Sequence, residues 1–275
     1  MQPFSHNIED YPEGIVLPID KPYRWTSADV IRKVKWAAIK HFGKKNLKVG
    51  HAGTLDPLAT GILLVCIGPA TKRAEELQRS PKQYLAGVTF GATTPSYDLE
   101  KDIDRLCPLE GVSAASIEAV LPGFVGEQDQ VAPLFSAKSV DGVRAYETAR
   151  RLLREAKENG TPFDPGDVLQ SSRINIYDLR LESYRENASA SRKVAEAEGK
   201  SARINVADIS SYNLPEAMIR VDCSKGTYIR ALARDLGEAL GSGAFLSSLR
   251  RTGNGGFSIE DSVSLEEALR LLGPQ

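Results

Sequence analysis

The hydrophobic pattern of the chain predicts one amphipathic helix near the N-terminus. Apolar side chains recur at helical spacing between Val30 and Phe42, with polar and basic residues between them. Thr26 or Ser27 can cap the start of this helix, and Gly43 can end it. We therefore expect a helix that buries one face and leaves the other face in solvent.

A short apolar run after this helix predicts a buried strand. Residues 62–67 are apolar and are bounded by Gly61 and Gly68. Other strand-like runs cover residues 14–19, 82–91, 170–182 and 218–223. Helical runs cover residues 71–78, 113–121, 145–158, 231–240 and 262–272. This mixture of helices and strands indicates an α/β or α+β protein.

Composition excludes several classes of protein. With 275 residues and 41% hydrophobic content, the chain can build one sizeable core or two at most. The formal net charge is −1, so any contact with RNA must come from a local basic patch. The N-terminus does not resemble a signal peptide, and no apolar run is long enough to span a membrane.

The cysteines do not suggest a structural staple. Cys66, Cys107 and Cys223 are an odd number and lack the close pairing of a zinc site or a redox motif. We expect neither a disulfide framework nor a bound metal, and a reducing cytoplasm fits this usage.

One segment differs from the rest in composition. Residues 186–212 are rich in small, polar and charged side chains, with little apolar content to offset the entropy of ordering. We expect a flexible insertion there, within a chain that otherwise forms a single domain.

Candidate chemistry is concentrated just before the predicted strand. A turn rich in glycine and threonine presents Asp56, and Pro57 disfavours helical geometry at that aspartate. A carboxylate at the mouth of a core strand can act as a nucleophile or a general base. On spacing alone, a surface Asp-Pro turn is the simpler interpretation.

Basic residues precede this turn without an intervening acid. No Asp or Glu occurs between Val30 and Leu55, and the run ends with Lys44, Lys45 and Lys48. Such runs are usually solvated surfaces. Because this one leads into the Asp56 turn, we predict that it contacts the phosphates of a nucleic acid.

The turn itself carries a long motif. The run GHAGTLDPLATG at residues 50–61 resembles the signature of the TruB family of tRNA pseudouridine synthases. Three other blocks resemble the family in the expected order: KPYRWTS at 21–27, KQY at 82–84 with GATTPSYD at 91–98, and CSKGTYIR at 223–230 with LRR at 249–251. The resemblance covers roughly residues 14–258 outside the insertion.

Some positions depart from the family pattern. Arg24 replaces a glycine and Ser96 replaces a threonine. Residues 130–150 also resemble the family pattern, but there Ala132 replaces a proline, Phe135 replaces a tyrosine, and Lys138 lies one place early.

The resemblance implies a role for each matched residue. Asp56 would be the catalytic carboxylate, Arg230 its charge partner, and Tyr84 the ring that stacks on the target base. Leu249 would form an apolar wall, and His51 would enter the RNA loop and help to expel the base. Further substrate or RNA contacts are expected from Lys21, Thr54 and Lys225.

The resemblance also implies the fold and the reaction. The fold would be that of pseudouridine synthases, with a central, mostly antiparallel sheet, flanking helices and a cleft across the sheet. The reaction would isomerise the T-loop uridine at position 55 of tRNA without cofactor, metal or guide RNA. We expect a monomer without the C-terminal PUA-type domain of many relatives, because too few residues follow the last block.

Two other functions remain open on sequence alone. A non-catalytic RNA-binding protein or RNA chaperone of the same fold would bind tRNA without needing Asp56. A glycosidase would release free uracil, but that class normally uses a pair of carboxylates.

Overall fold

The computed structural model describes residues 3–133, 139–140, 143–144, 171–192 and 203–273. The predicted helix over 145–158 and the departures at Phe135 and Lys138 lie outside these ranges. The described part combines helices with one large sheet that is mostly antiparallel, and this confirms the α+β class.

The strands and α-helices of the described part are numbered separately in chain order. The strands are β1 Ile15–Lys21, β2 Val49–Ala52, β3 Ala59–Ile67, β4 Lys82–Phe90, β5 Ala92–Thr93, β6 Arg105–Leu106, β7 Gly126–Val131, β8 Ser139–Val140, β9 Val143–Arg144, β10 Ser171–Arg185, β11 Glu216–Cys223, β12 Ala244–Asn254, β13 Phe257–Ser258 and β14 Val263–Ser264. The α-helices of the described part are α1 Ser27–Phe42, α2 Ala74–Arg79, α3 Ala114–Val120, α4 Ile229–Ala239 and α5 Leu265–Leu271.

The main sheet brings distant parts of the chain together. Its strand order is β14-β1-β3-β12-β4-β11-β10-β7. Outside this order, β2 pairs with β3, and β13 pairs with β12. The β1–β14 and β3–β12 pairs are parallel, and the other pairs are antiparallel. Strand β12 therefore lies between β3, which follows the Asp56 turn, and β4, which carries Tyr84.

Strand β3 is covered on both faces. Residues 62–67 are fully buried, as predicted from their unbroken apolar run. Leu63 and Val65 pack with α1 and α5, whereas Ile62 and Leu64 pack with Leu77 of α2 on the other face. The strand begins at Ala59 because its first residues pair with β12. Helices α1 and α2 thus lie on opposite faces of β3.

Helix α1 has the predicted boundaries. The Thr26 side chain accepts a hydrogen bond from the Asp29 amide, and Gly43 adopts left-handed backbone at φ 63°. Val30 and Val34 are fully buried in the core beside β1 and β3. The helix therefore begins and ends where its capping residues predict, and its apolar stripe faces the core as its spacing predicts.

The ends of the predicted insertion are packed on the body of the protein. Ser189 is buried, and Ala207 and Ile209 join a core cluster with Phe245 of β12. The expectation of looseness across all of 186–212 was therefore wrong for the flanks 186–192 and 203–212. Residues 193–202 lie outside the described ranges, so an insertion there and the single-domain organisation stay predictions.

Arg24 joins the start of the chain to one of these flanks. Its Nη2 donates a hydrogen bond to the Ile204 carbonyl at 2.5 Å. Its backbone is left-handed, with φ 60°, at the position where the family pattern has glycine. The side chain thus provides a tertiary contact while the backbone carries a strain that glycine would avoid.

Replacement of Arg24 should separate these two effects. Arg24→Gly and Arg24→Ala both remove the contact, but only alanine retains the left-handed penalty. We expect Arg24→Ala to be less stable than Arg24→Gly by about 1 kcal/mol in urea unfolding. Arg32, within helix α1, provides the control. There Arg32→Gly should be less stable than Arg32→Ala, because glycine weakens a helix. Equal stability of the two Arg24 variants would contradict the strain.

No helix in the described part of the chain combines the length and the apolar character needed to cross a bilayer. The three cysteines are free thiols, and Cys66 and Cys223 are buried in the core.

Candidate active site

The centre of the site is a two-point ion pair between Asp56 and Arg230. Arg230 Nε donates to Asp56 Oδ2 at 2.9 Å, and Nη2 donates to Oδ1 at 3.2 Å. The Arg230 side chain is 5% exposed and that of Asp56 is 38% exposed. The fork therefore aims the carboxylate from behind, and one side of the carboxylate faces solvent.

A second carboxylate shares the same guanidinium. Asp98 Oδ2 lies 3.7 Å from Arg230 Nε, and the Ser96 carbonyl accepts from Nη1 at 3.0 Å. Asp98 Oδ1 also accepts from Ser96 Oγ at 2.6 Å. Burial raises the pKa of Asp98, whereas Arg230 and Ser96 oppose that shift. Asp98 belongs to the matched block at 91–98, but the sequence alone did not place it at the site.

The partners of Arg230 keep it charged. Burial acts to lower the pKa of Arg230, but attraction from Asp56, Asp98 and Glu100 outweighs burial and raises it. Arg230 is therefore a fixed cation under all ordinary conditions, and Asp56 is held in position by a partner that does not titrate.

Glu100 lies near the negative charges of this cluster, and the attraction of Arg230 and Lys101 only partly offsets their repulsion. Burial, followed by repulsion from Asp98 and Asp56, raises the pKa of Glu100 to about 7. Because that value lies above the usual 4.5, its ionisation destabilises the folded state as the pH rises through 7. Below pH 4.5 the group is protonated in both states and has no effect.

Glu100→Gln should therefore raise the melting temperature at pH 8 and change it little at pH 5, since glutamine cannot ionise. Thermal unfolding followed by circular dichroism at the two pH values tests this. Glu110→Gln, on the exposed surface, is the control and should be neutral at both. The same shift for Glu100→Gln at pH 5 and pH 8 would contradict burial of its charge.

Lys21 fixes the turn from inside the protein. Its ammonium donates to the carbonyls of Pro22, Trp25 and Pro57 at 3.0, 2.6 and 3.2 Å. It is fully buried, and burial lowers its pKa to about 7 despite the attraction of Asp56. Lys21 is therefore part of the support of the turn, and the predicted contact with RNA is wrong for this residue.

Helix α1 also holds the turn. Ser27 Oγ accepts from the Leu55 amide at 3.0 Å and donates to the Leu55 carbonyl at 3.1 Å. Since the backbone N–H and the carbonyl of the residue before Asp56 are both held, the start of α1 fixes the direction in which the carboxylate leaves the backbone.

A cavity of about 710 Å³ opens beside Asp56 and runs across the sheet. Four predicted site residues line it together with Asp56 and Arg230, namely Thr54, Tyr84, Lys225 and Leu249. The expected cleft is therefore present, and six of the predicted site residues lie together on its wall.

The apolar part of the wall lies close to the carboxylate. Tyr84 and Ala59 belong to one core cluster, and Leu249 packs against it. Strand β12 pairs Leu249 with Ala59 and Arg251 with Tyr84, so the ring and the leucine project from neighbouring strands. Burial raises the pKa of the Tyr84 phenol, which is therefore protonated at neutral pH.

Four cations of the cavity wall were not predicted from the sequence. They are Arg79, Lys82, Arg173 and Arg251. Lys82 and Arg251 occur in blocks that match the family, and this was the available signal. Arg79 on α2 and Arg173 at the start of β10 gave no signal, because only the folded chain brings them to the cavity.

Lys44, Lys45 and Lys48 lie elsewhere. They are exposed and precede β2, which pairs Val49 with Ile67 at the end of β3 remote from Asp56. Since β3 has nine residues, its two ends lie roughly 27 Å apart. Lys44 also forms an ion pair with Glu9 at 3.0 Å. The basic run therefore does not lead into the cavity.

His51 lies on β2, opposite Val65, rather than in a loop. Its ring is half-buried, and Nδ1 has no hydrogen-bond partner in the described part of the chain. Burial, and then the charge of Arg251, lower its pKa, so the ring is neutral at pH 7.

Family models and curated relatives match most of this chain. A model of the TruB family pseudouridylate synthase (N terminal domain) matches residues 40–200, and one of the tRNA pseudouridylate synthase B C-terminal domain matches 230–272. The protein named tRNA pseudouridine synthase B from Phocaeicola vulgatus is 44% identical, over 94% of this chain and 92% of its own length. The protein of the same name from Flavobacterium johnsoniae is 40% identical, over 95% of this chain and 99% of its own length.

Solved structures share the fold. A chain of the structure described as "Crystal Structure of a Cbf5-Nop10-Gar1 Complex" superposes with a TM-score of 0.59 at 25% identity, covering 96% of this chain and 56% of that chain. The fold and the site thus define a pseudouridine synthase, and the expected fold is confirmed. Within that class, the chain belongs to the TruB family.

Proposed function

We propose that this TruB-family protein isomerises the T-loop uridine at position 55 of tRNA to pseudouridine, with Asp56 as the catalytic carboxylate. The observation that carries the proposal is the fork between Asp56 and buried Arg230 at the wall of a cavity also lined by Tyr84 and Leu249. The names of the relatives support tRNA as the substrate.

The reaction rearranges one nucleoside without an external reactant. The N1–C1′ bond of uridine breaks, the uracil turns in place, and C5 bonds to C1′. The hydrogen on C5 leaves as a proton, and N1 gains a proton, so the reaction consumes no water, oxidant or reductant. The site needs a charged carboxylate beside the sugar and base, and walls that retain the loosened uracil.

The described residues suit both requirements. Arg230 stays charged, and its two hydrogen bonds fix the direction of the Asp56 carboxylate. Tyr84 offers a ring for stacking on the base, and Leu249 offers an apolar surface beside it. A base must leave the folded RNA to reach Asp56, and that extrusion costs a few kcal/mol. We also propose that His51, on β2 before the Asp56 turn, helps to expel the base.

The cations of the cavity suit the RNA backbone. Lys225, Arg79 and Arg173 are exposed and lie on different elements around one opening, in a chain whose net charge is −1. Arg79 also pairs with Glu75, and Arg173 pairs with Glu127 and Asp129. Such a local concentration of positive charge can follow phosphates where the whole protein cannot. Thr54 can add a hydrogen bond at the same rim. Lys44, Lys45 and Lys48 would contact RNA only well away from the extruded base.

We further propose that the protein acts as a cytoplasmic monomer, on tRNA directly, without a guide RNA, metal or other cofactor. The support is the near-complete overlap in length with relatives named as tRNA pseudouridine synthase B. The three free thiols suit a reducing compartment.

A short T-stem–loop RNA tests this function. After incubation with the protein, nucleosides and free bases are separated by chromatography. Pseudouridine in the T-loop RNA, and none in the same RNA carrying cytidine at position 55, would support the proposal. Free uracil would instead favour a glycosidase, and tight binding with no product would favour an RNA-binding protein or chaperone.

A further inference from the structure

Arg251 is a fully buried cation that the reaction described above does not use. It is 1% exposed, and its Nε donates to the Ile62 carbonyl at 2.7 Å. Nη2 donates to the Gly53 carbonyl at 3.0 Å, and Nη1 lies 3.5 Å from the Thr54 carbonyl. The side chain therefore holds the backbone carbonyls of Gly53 and Thr54, which lie three and two residues before Asp56.

The same guanidinium lies beside the phenol of Tyr84. It opposes the rise that burial causes in the pKa of Tyr84, and β12 pairs Arg251 directly with Tyr84. One side chain from β12 thus touches β3, the Asp56 turn and the stacking ring of β4. These are the elements whose relative placement sets the distance between the carboxylate and the base.

Arg251 differs from Arg230 in its electrostatic partners. Arg230 contacts two carboxylates, whereas no carboxylate among the described residues lies within ion-pair distance of Arg251. Its charge helps to lower the pKa values of Lys21, His51 and Lys82. Burying a charge that only carbonyl dipoles stabilise costs free energy of folding. An apolar side chain in place of Arg251 would avoid this cost, so stability alone does not explain an arginine here.

Its geometry matches an arginine rather than a lysine. The three carbonyls lie around the guanidinium, and a planar fork can reach them together. Lysine has a single charged nitrogen and cannot span the same set. Gly61 of β3 approaches the Arg251 backbone so closely that a Cβ there would lie 2.2 Å from the Arg251 carbonyl oxygen, so β12 cannot shift away from the turn without losing this packing.

We propose that Arg251 is a positioning residue of the isomerisation, which holds the carbonyls of Gly53 and Thr54 and the phenol of Tyr84 in one frame. It sets the separation of Asp56 from the stacked base. The inference rests on the proposed function, since it concerns the same cavity, but it adds a residue that neither pairs with Asp56 nor stacks on the base.

The first experiment compares Arg251→Lys with wild type in single-turnover reactions on the T-stem–loop RNA. We expect the chemical step to slow by about 100-fold, because small displacements of reacting groups have effects of this size. The dissociation constant for the RNA should stay unchanged. Arg250→Lys is the matched control, since the neighbouring side chain is 42% exposed and pairs with Asp20 at 2.7 Å; it should react at the wild-type rate.

A double-mutant cycle with Tyr84→Phe separates positioning from general stability. If Arg251 acts partly through the phenol, the double variant Arg251→Lys/Tyr84→Phe should be slowed by clearly less than the product of the two single effects. If the arginine were purely structural, the two substitutions would act independently, so their effects on the activation free energy would be additive. Additive effects, or a wild-type rate for Arg251→Lys, would overturn the proposal.

A second variant covers the case in which Arg251→Lys does not fold. Gly53→Ala alters the held peptide from the side of the turn, because Gly53 has φ 94° and a Cβ there would lie 3.6 Å from Arg251 Nη1. We expect a slower chemical step with unchanged RNA affinity, and a wild-type rate would overturn the proposal. Loss of product from wild type itself would instead reject the proposed function.

Discussion

Asp56→Asn should reduce the rate of pseudouridine formation by roughly 10⁴-fold or more, a loss typical of removing a catalytic group that acts as part of a unit. Asparagine keeps the size of the side chain and one acceptor oxygen, but it cannot supply a negative charge to the sugar or base. Since the side chain is 38% exposed and lies at the rim of a cavity, the fold should survive. The measurement is single-turnover formation of pseudouridine in the T-stem–loop RNA.

Binding separates this effect from a loss of structure. The Asp56→Asn variant should bind the RNA at least as well as wild type, because it removes one negative charge from the cavity. Asp102→Asn, on the exposed surface, is the control and should leave the rate unchanged. Turnover by Asp56→Asn within tenfold of wild type would remove Asp56 from the catalytic role.

Arg230→Leu should abolish turnover and also destabilise the protein by about 3–5 kcal/mol, the range seen when one partner of a buried ion pair is removed. The reason is that Asp98, which is 6% exposed in its side chain, loses its cationic partner, and Asp56 loses its fork. Urea unfolding at pH 7 measures the loss. Addition of Asp98→Asn should recover part of the stability and none of the activity.

The loss in Arg230→Leu should depend on pH in a defined direction. Burial already raises the pKa of Asp98, and removal of Arg230 takes away the attraction that opposes this rise. An acid whose folded-state pKa is raised binds more protons when folded, so stability increases as the pH falls. The gap between Arg230→Leu and wild type should therefore narrow from pH 7 to pH 5. A constant gap would mean that Asp98 is not the source of the loss.

Local sequence signals located much of this architecture. Helix α1 was predictable because Thr26, Gly43 and an apolar stripe act within a few residues of one another. Strand β3 was predictable because it is buried on both faces, which requires an unbroken apolar run. Asp56, Arg230 and Tyr84 came from motif resemblance, and the structure brings them to one cavity.

Strand β12 shows why other parts were missed. It runs through the middle of the sheet, yet its sequence contains paired serines, paired arginines and a glycine, and these give no strand-like alternation. Its place depends on β3 and β4, which are distant in sequence. The role of Arg251 was hidden for the same reason, because its partners Gly53 and Ile62 are close only in the folded chain.

The basic run shows the opposite error. Lys44, Lys45 and Lys48 are near Asp56 in sequence, but β2 and β3 form a hairpin-like pair that places them at the far end of β3. The positive charge at the cavity comes instead from Lys82, Arg173 and other residues of separate elements. Proximity along the chain was a poor guide because a nine-residue strand intervenes.

The most direct test of the account is to map every pseudouridine in an unmodified tRNA transcript after incubation with wild type and with Asp56→Asn. Chemical labelling of pseudouridine followed by mass spectrometry gives position and extent together. We expect modification at position 55 alone, formed by wild type and absent with Asp56→Asn. Modification elsewhere, equal product from both proteins, or no product from wild type despite binding would contradict it.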